Sequence, residues 1–268
     1  MPEVSRLFIS AAKAIQDGRL IRREGRKDKE FHFQNWFTTR LSDLGLNHDA
    51  PGRNTYPDFT LVDSAEGYEL KGLAYPGREA TYDCNSQVPR GEHNGRQVYY
   101  VFGRYPKDPD GDEYPVLDLV ICHGSFLNAN NSYVHKNRSF RGFGSYGDIM
   151  VRDRKMYVAP TPFALVEGAA HRRTLILPEH HPIVAQGLRL VGTLKRREVS
   201  NVTVAYDFDL RTNVIKTQQV PNPTAGVEHV FHAYRVQDDA ADQVRLRDPG
   251  AVMADLEAAV VEEDQKDE

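Results

Sequence analysis

Cysteine is nearly absent from this chain: Cys84 and Cys122 are the only two among 268 residues. A pair 38 positions apart can build neither a disulfide framework nor a zinc knuckle, and it suits a reducing cytoplasm with both thiols free. Long apolar runs are missing too. Val116–Cys122, the best of them, is interrupted by Asp118, whereas a spanning helix needs roughly 18 apolar residues in succession. No apolar segment follows a basic start, and Glu3 sits in the first turn, so neither a membrane span nor a secretory signal is expected. The sequence also lacks an HExxH motif, a Walker loop and a GxSxG elbow. Gly142–Gly147 matches GxGxxG, but no strand leads in and no helix follows, which excludes a dinucleotide site.

Forty per cent hydrophobic and 27% charged residues describe a globular chain with ample core. The net charge of −4 hides an asymmetry. Asp238 to the end carries 11 acids against 3 bases, which leaves residues 1–237 at +4. Within that body, His135–Val158 holds Lys136, Arg138, Arg141, Arg152, Arg154 and Lys155 against Asp148 and Asp153. An anionic ligand is permitted by this balance and not required by it.

Val4, Leu7, Phe8, Ala11, Ala12 and Ile15 recur at three-four spacing and predict a helix over Pro2–Asp17. Phe33, Trp36, Phe37, Leu41 and Leu44 predict a second, with Asp28 as N-cap and Gly45 as the stop. The period then changes to two. Phe59–Asp63 and Tyr68–Leu73 predict a hairpin, and Gln97–Gly103 and Val116–His123 predict buried strands. Further strands are expected at Thr174–Leu177, Leu188–Lys195, Val199–Asp209, Asn213–Val220 and Val230–Val236, and a short acidic helix at Ala251–Glu263. The fold class is α+β with an α/β core, in one domain or as a catalytic half with a β-rich appendage.

Chemistry concentrates in Tyr56-Pro57-Asp58-Phe59-Thr60 and Tyr68-Glu69-Leu70-Lys71-Gly72. Asp58 opens the first strand of the hairpin, while Glu69 and Lys71, two apart, share one face of the second. Two carboxylates and an amine at one sheet edge suit Mg²⁺, a hard ion content with one or two carboxylates and several waters. Metal-dependent phosphodiester hydrolysis is the chemistry such a set performs.

Pro57-Asp58, the spacing of eleven to Glu69, and Glu69-Leu70-Lys71 inside an apolar strand resemble the PD-(D/E)xK signature of the restriction-endonuclease-like nuclease superfamily. The resemblance covers about residues 28–105 and is most like a Type II restriction endonuclease. It implies an αβββαβ core with a mixed sheet over about 28–125, a β-rich recognition elaboration over about 126–237, and an acidic tail at 238–268. It further implies that Asp58, Glu69 and the Leu70 carbonyl bind Mg²⁺, with Mn²⁺ able to substitute, and that Lys71 acts on the nucleophilic water. Glu30 is the candidate for an acid on the preceding helix, with Asp28 and Asp43 as alternatives. The implied activity is sequence-specific cleavage of double-stranded DNA to 5′-phosphate and 3′-hydroxyl ends by a homodimer, with a DNA methyltransferase as genetic partner.

DNA contacts are expected from Asn85, Gln87, Arg90, His93, Asn94 and Arg96 after the motif and from Arg104 at the end of the next strand. Arg138 and Arg141, in a long polar stretch, are expected to contact phosphates. Two other readings stay open. The same core could serve a DNA-repair or modification-dependent defence nuclease, or the three charges could decorate a non-enzymatic DNA-binding β-rich domain.

Overall fold

The stripe of Val4, Leu7, Phe8, Ala11 and Ala12 is fully buried along one helix, α1 (Val4–Gln16), in the computed structural model of the chain. Residues 2–23, 29–49, 55–77, 79–84, 88–129, 150–151, 157–182, 186–209, 214–252 and 254 are described by it. The second predicted helix is α2 (Lys29–Asp43). Gly45, at φ +67°, ends it: the Leu46 N–H returns to the Leu41 carbonyl and the Gly45 N–H to that of Ser42. Asp28, the expected cap, lies outside the described residues.

Eight strands form the main sheet: β1 (Phe59–Thr60), β2 (Glu66–Tyr75), β3 (Glu92–His93), β4 (Arg96–Pro106), β5 (Asp118–His123), β6 (Arg173–Pro178), β7 (Leu188–Arg197) and β8 (Glu228–Val236). Their order is β7-β8-β6-β5-β4-β2-β1, with β3 added to the start of β4. The sheet is mixed: β2 and β4 run parallel, as do β5 and β6, and the other pairings are antiparallel. The β-rich second half therefore continues the central sheet through β6, β8 and β7. Its hairpin Asn201–Asp209/Val214–Pro221 forms a separate ribbon, and Met150–Val151, Tyr157–Pro160 and Val166–Glu167 also pair outside the main sheet.

Side-chain alternation sorts the sheet into two faces. Tyr68, Leu70, Tyr99, Val101, Ile121 and Leu175 pack with α1 and α2 in one cluster. Leu73, Val98, Tyr100, Phe102, Val120 and Ile176 form the other, with Phe126 and Phe231. Helix α2 lies tight against β4 because Gly103 has no side chain: a Cβ there would stand 2.2 Å from the Phe33 ring.

One expectation needs correction. The first strand of the hairpin ends at Thr60 rather than Asp63, because the Val62 N–H donates to Asn47 O and Asp49 N–H to Thr60 O, drawing the chain toward the loop after α2. Of the αβββαβ order, the opening helix–strand–strand is present, but β4 lies parallel to β2. Among the described residues no helix longer than one turn stands between β4 and β6. The expected C-terminal helix is described only at its start, around 249–252.

Candidate active site

The β1–β2 hairpin brings the predicted triad together by interlocking backbone and side chains. Phe59 pairs with Tyr68, so Asp58 stands opposite Glu69. The Asp58 carboxylate accepts the Leu70 N–H at 2.8 Å, and the Glu69 Oε2 accepts the Asp58 N–H at 3.3 Å. Lys71 Nζ lies 2.8 Å from Glu69 Oε1, with both side chains 13% exposed. The N–H and C=O of one strand residue point the same way, so the Leu70 carbonyl faces the edge where Asp58 sits. Gly67 makes room for the turn: a Cβ on it would lie 2.5 Å from Pro57 Cγ, immediately before Asp58.

Glu69 and Lys71 project from the face opposite the helices. Tyr100 is the register partner of Glu69 on β4 and Phe102 that of Lys71. The Tyr56 and Tyr100 hydroxyls are 2.8 Å apart. Burial raises Tyr56 above the ordinary tyrosine range, with the Glu69 charge adding to the rise, so its O–H stays protonated. Burial also pushes the Cys84 thiol up to about 12, although Lys71 pulls it down. Cys84 is therefore a protonated wall and not a nucleophile at neutral pH. Neither Tyr56 nor Tyr100 was singled out by sequence. Tyr56 adjoins the motif, but its contact with Tyr100 depends on a strand register that spacing does not reveal.

The expected DNA contacts divide. His93 sets its ring edge-on to Tyr56, with centroids 5.0 Å apart, and its Nδ1 lies 3.5 Å from Arg90 Nη1. Burial first and Arg90 second lower the His93 pKa. Arg90 and His93 thus border the hairpin. Asn94 is exposed at the β3–β4 turn, beside His93 Nε2 at 3.1 Å. Arg96 is turned inward: its Nη1 donates to Leu61 O and Ser64 O, both at 2.7 Å, pinning the β1–β2 turn. Arg104 overturns its expectation. It is 2% exposed and paired with Asp118, the residue that breaks the apolar run of β5, so it is an interior strut and has no surface to offer DNA. Asn85, Gln87, Arg138 and Arg141 lie outside the described residues. Glu30 falls at the start of α2, outside the described side chains, while Asp43 pairs with Arg40.

The oxygen donors of Asp58, Glu69 and the Leu70 carbonyl are of the hard type that Mg²⁺ accepts. Among the described residues no group of three or more His, Cys, Asp or Glu is placed to hold a metal ion. No family model matches the chain, and no curated protein or solved structure matches it either. Among the described residues no helix is long and apolar enough to cross a membrane.

Proposed function

We propose that the chain is a Mg²⁺-dependent endonuclease of the PD-(D/E)xK type that cuts double-stranded DNA in the manner of a Type II restriction enzyme. The observation that carries this reading is the interlock of Asp58, Glu69, Leu70 and Lys71 across two adjacent strands. Asp58, Glu69 and the Leu70 carbonyl would hold Mg²⁺, with Mn²⁺ as a substitute. Bound there, the ion would acidify a water and neutralise charge growing on the scissile phosphate. Lys71, fixed by Glu69, donates a hydrogen bond to the attacking water and holds its lone pair toward phosphorus. Arg90, beside the hairpin, is placed to take a phosphate oxygen of the strand being cut. Attack on phosphorus with departure of the 3′ oxygen leaves 5′-phosphate and 3′-hydroxyl ends. Action as a homodimer on a two-fold site, and a companion DNA methyltransferase, belong to the same proposal.

Incubation of unmethylated plasmid with Mg²⁺ tests it. Discrete fragments are expected, with cleavage lost in excess chelator. Asp58→Ala and Lys71→Ala should each slow cleavage by at least ~100-fold while circular dichroism stays parental. Near-parental turnover by either variant removes the assignment.

A further inference from the structure

An opening on the helical side of the sheet has no part in the site above. It is a cavity of about 460 Å³ between the segment after α1 and the outer side of α2, lined among others by Arg19, Arg22, Trp36, Thr39 and Arg40. Glu69 and Lys71 face the other way. Its walls are fixed by local bonds: Trp36 Nε1 donates to Arg19 O at 3.0 Å, and Arg22 Nε donates to Glu113 Oε1 at 2.9 Å.

Arg40 is the unusual member. Its side chain is 7% exposed, its Nε donates to Asp43 Oδ2 at 3.0 Å, and its guanidinium lies over the Trp36 ring, 5.1 Å from the centroid. Nη1, buried, finds no hydrogen-bond partner among the described residues. A buried guanidinium nitrogen without an acceptor costs free energy that an incoming oxyanion recovers. Arg40 is already half neutralised by Asp43 and Arg22 by Glu113, so among the described residues Arg19 supplies the uncompensated charge at the rim. Among the described residues Gly18–Arg23 holds three arginines, Arg19, Arg22 and Arg23, and no acid.

We propose that this cavity binds a phosphoryl group, carried either by a free nucleotide-sized molecule or by nucleic acid. Its volume falls in the range of small-molecule sites. Guanidinium forks match phosphate geometry, and Thr39 and Asn35 add short polar side chains along one face of α2. Because Nη1 is covered, contact requires the Arg40 guanidinium to swing from its place over the Trp36 ring toward the opening. That motion changes the surroundings of the one tryptophan in the chain.

Trp36 fluorescence therefore reads occupancy directly. The full chain, in chelator, is titrated with inorganic pyrophosphate and separately with a short DNA duplex, against sodium chloride at matched ionic strength. A saturable change is expected that weakens at least ~10-fold in Arg19→Gln and in Arg40→Lys, which keeps the charge but loses the fork. The same change should persist in Lys71→Ala, so failure here and failure of the nuclease reading are separable. A response to pyrophosphate identifies a free phosphate ligand, and a response to the duplex alone identifies the nucleic-acid backbone. No saturable response to either, or one that survives intact in both arginine variants or is matched by sodium chloride, overturns the proposal.

Discussion

Two acid–base pairs sit on the same face of the same sheet, and they are built differently. Asp118 takes Arg104 Nε on both carboxylate oxygens, at 2.9 and 2.8 Å, a further bond from Arg104 Nη2, and the His171 N–H at 2.8 Å. The guanidinium is held between the Tyr75 and Phe163 rings, 4.4 and 4.7 Å from their centroids, and the two side chains are 3% and 0% exposed. Glu69 and Lys71 instead meet at a sheet edge, 13% exposed each, with one Glu69 oxygen holding the Asp58 N–H by a long bond. The first pair is saturated and enclosed, so its charge is spent on structure. The second keeps access to solvent, and a weak backbone bond is easily exchanged for a ligand. Saturation and enclosure, more than the presence of opposite charges, separate a strut from a site.

The largest effect that can break this contrast is on stability. Asp118→Ala leaves the Arg104 guanidinium buried without its partner and should cost ~3–5 kcal/mol, measured by urea unfolding. The double variant Arg104→Met/Asp118→Leu should recover most of that loss, since apolar replacement of a buried pair is often neutral. A single variant within ~1 kcal/mol of the parent would mean that the enclosed pair is no strut.

Next in size is Gly67→Ala. The new Cβ, 2.5 Å from Pro57 Cγ, has to displace the turn that sets Asp58. Overpacking of this kind costs ~1–3 kcal/mol. Here it should also reduce Mg²⁺-dependent cleavage well beyond the stability loss, because Asp58 moves with Pro57. Equal losses of stability and cleavage would show that the turn does not position the carboxylate.

Much of this contrast was hidden from the sequence, and the reason is register. Periodicity reveals α1, α2 and most strands because burial of one face writes itself into local spacing. The motif half of the site was legible for the same reason: Glu69 and Lys71 share a face by alternation, and the hairpin turn brings Asp58 opposite. Arg104 looked like a strand-end cation free to reach DNA. Its partner Asp118 lies 14 residues on, across a β4–β5 pairing that no local pattern encodes. The order of the sheet was illegible likewise. That β6, β8 and β7 extend the sheet beyond β5 depends on pairings between segments some 30 to 60 residues apart.

A smaller effect sharpens the comparison from the other side. Lys71→Met or Glu69→Gln should change unfolding free energy by on the order of 1 kcal/mol, because a pair with access to water is partly rehydrated when one member is removed. A loss as large as that of Asp118→Ala would place both pairs in the same structural class and weaken the case that the hairpin pair is held ready for chemistry.

The smallest expected effect concerns Glu66, on the same strand as Glu69 but on the helical face. Among the described residues no cation bonds its carboxylate: Oε1 accepts the Glu3 N–H at 2.7 Å and Oε2 the Tyr68 O–H at 2.5 Å. Burial raises its pKa above the ordinary value near 4.5, and these two hydrogen bonds only partly oppose the rise. A carboxyl that holds its proton more tightly in the folded state imposes no penalty below its unfolded pKa. The penalty grows as pH rises through the folded pKa, and it is complete above that point. Glu66→Gln removes the titration, so the variant should gain on the parent between pH ~4.5 and neutrality. The offset at any single pH also reflects how well the amide replaces two accepted hydrogen bonds, which is why the slope of the difference is the informative quantity. Urea unfolding of both proteins across that range measures it. A difference that is flat with pH, or that turns against the variant as pH rises, would mean that Glu66 is as well compensated without a cation as Asp118 is with one.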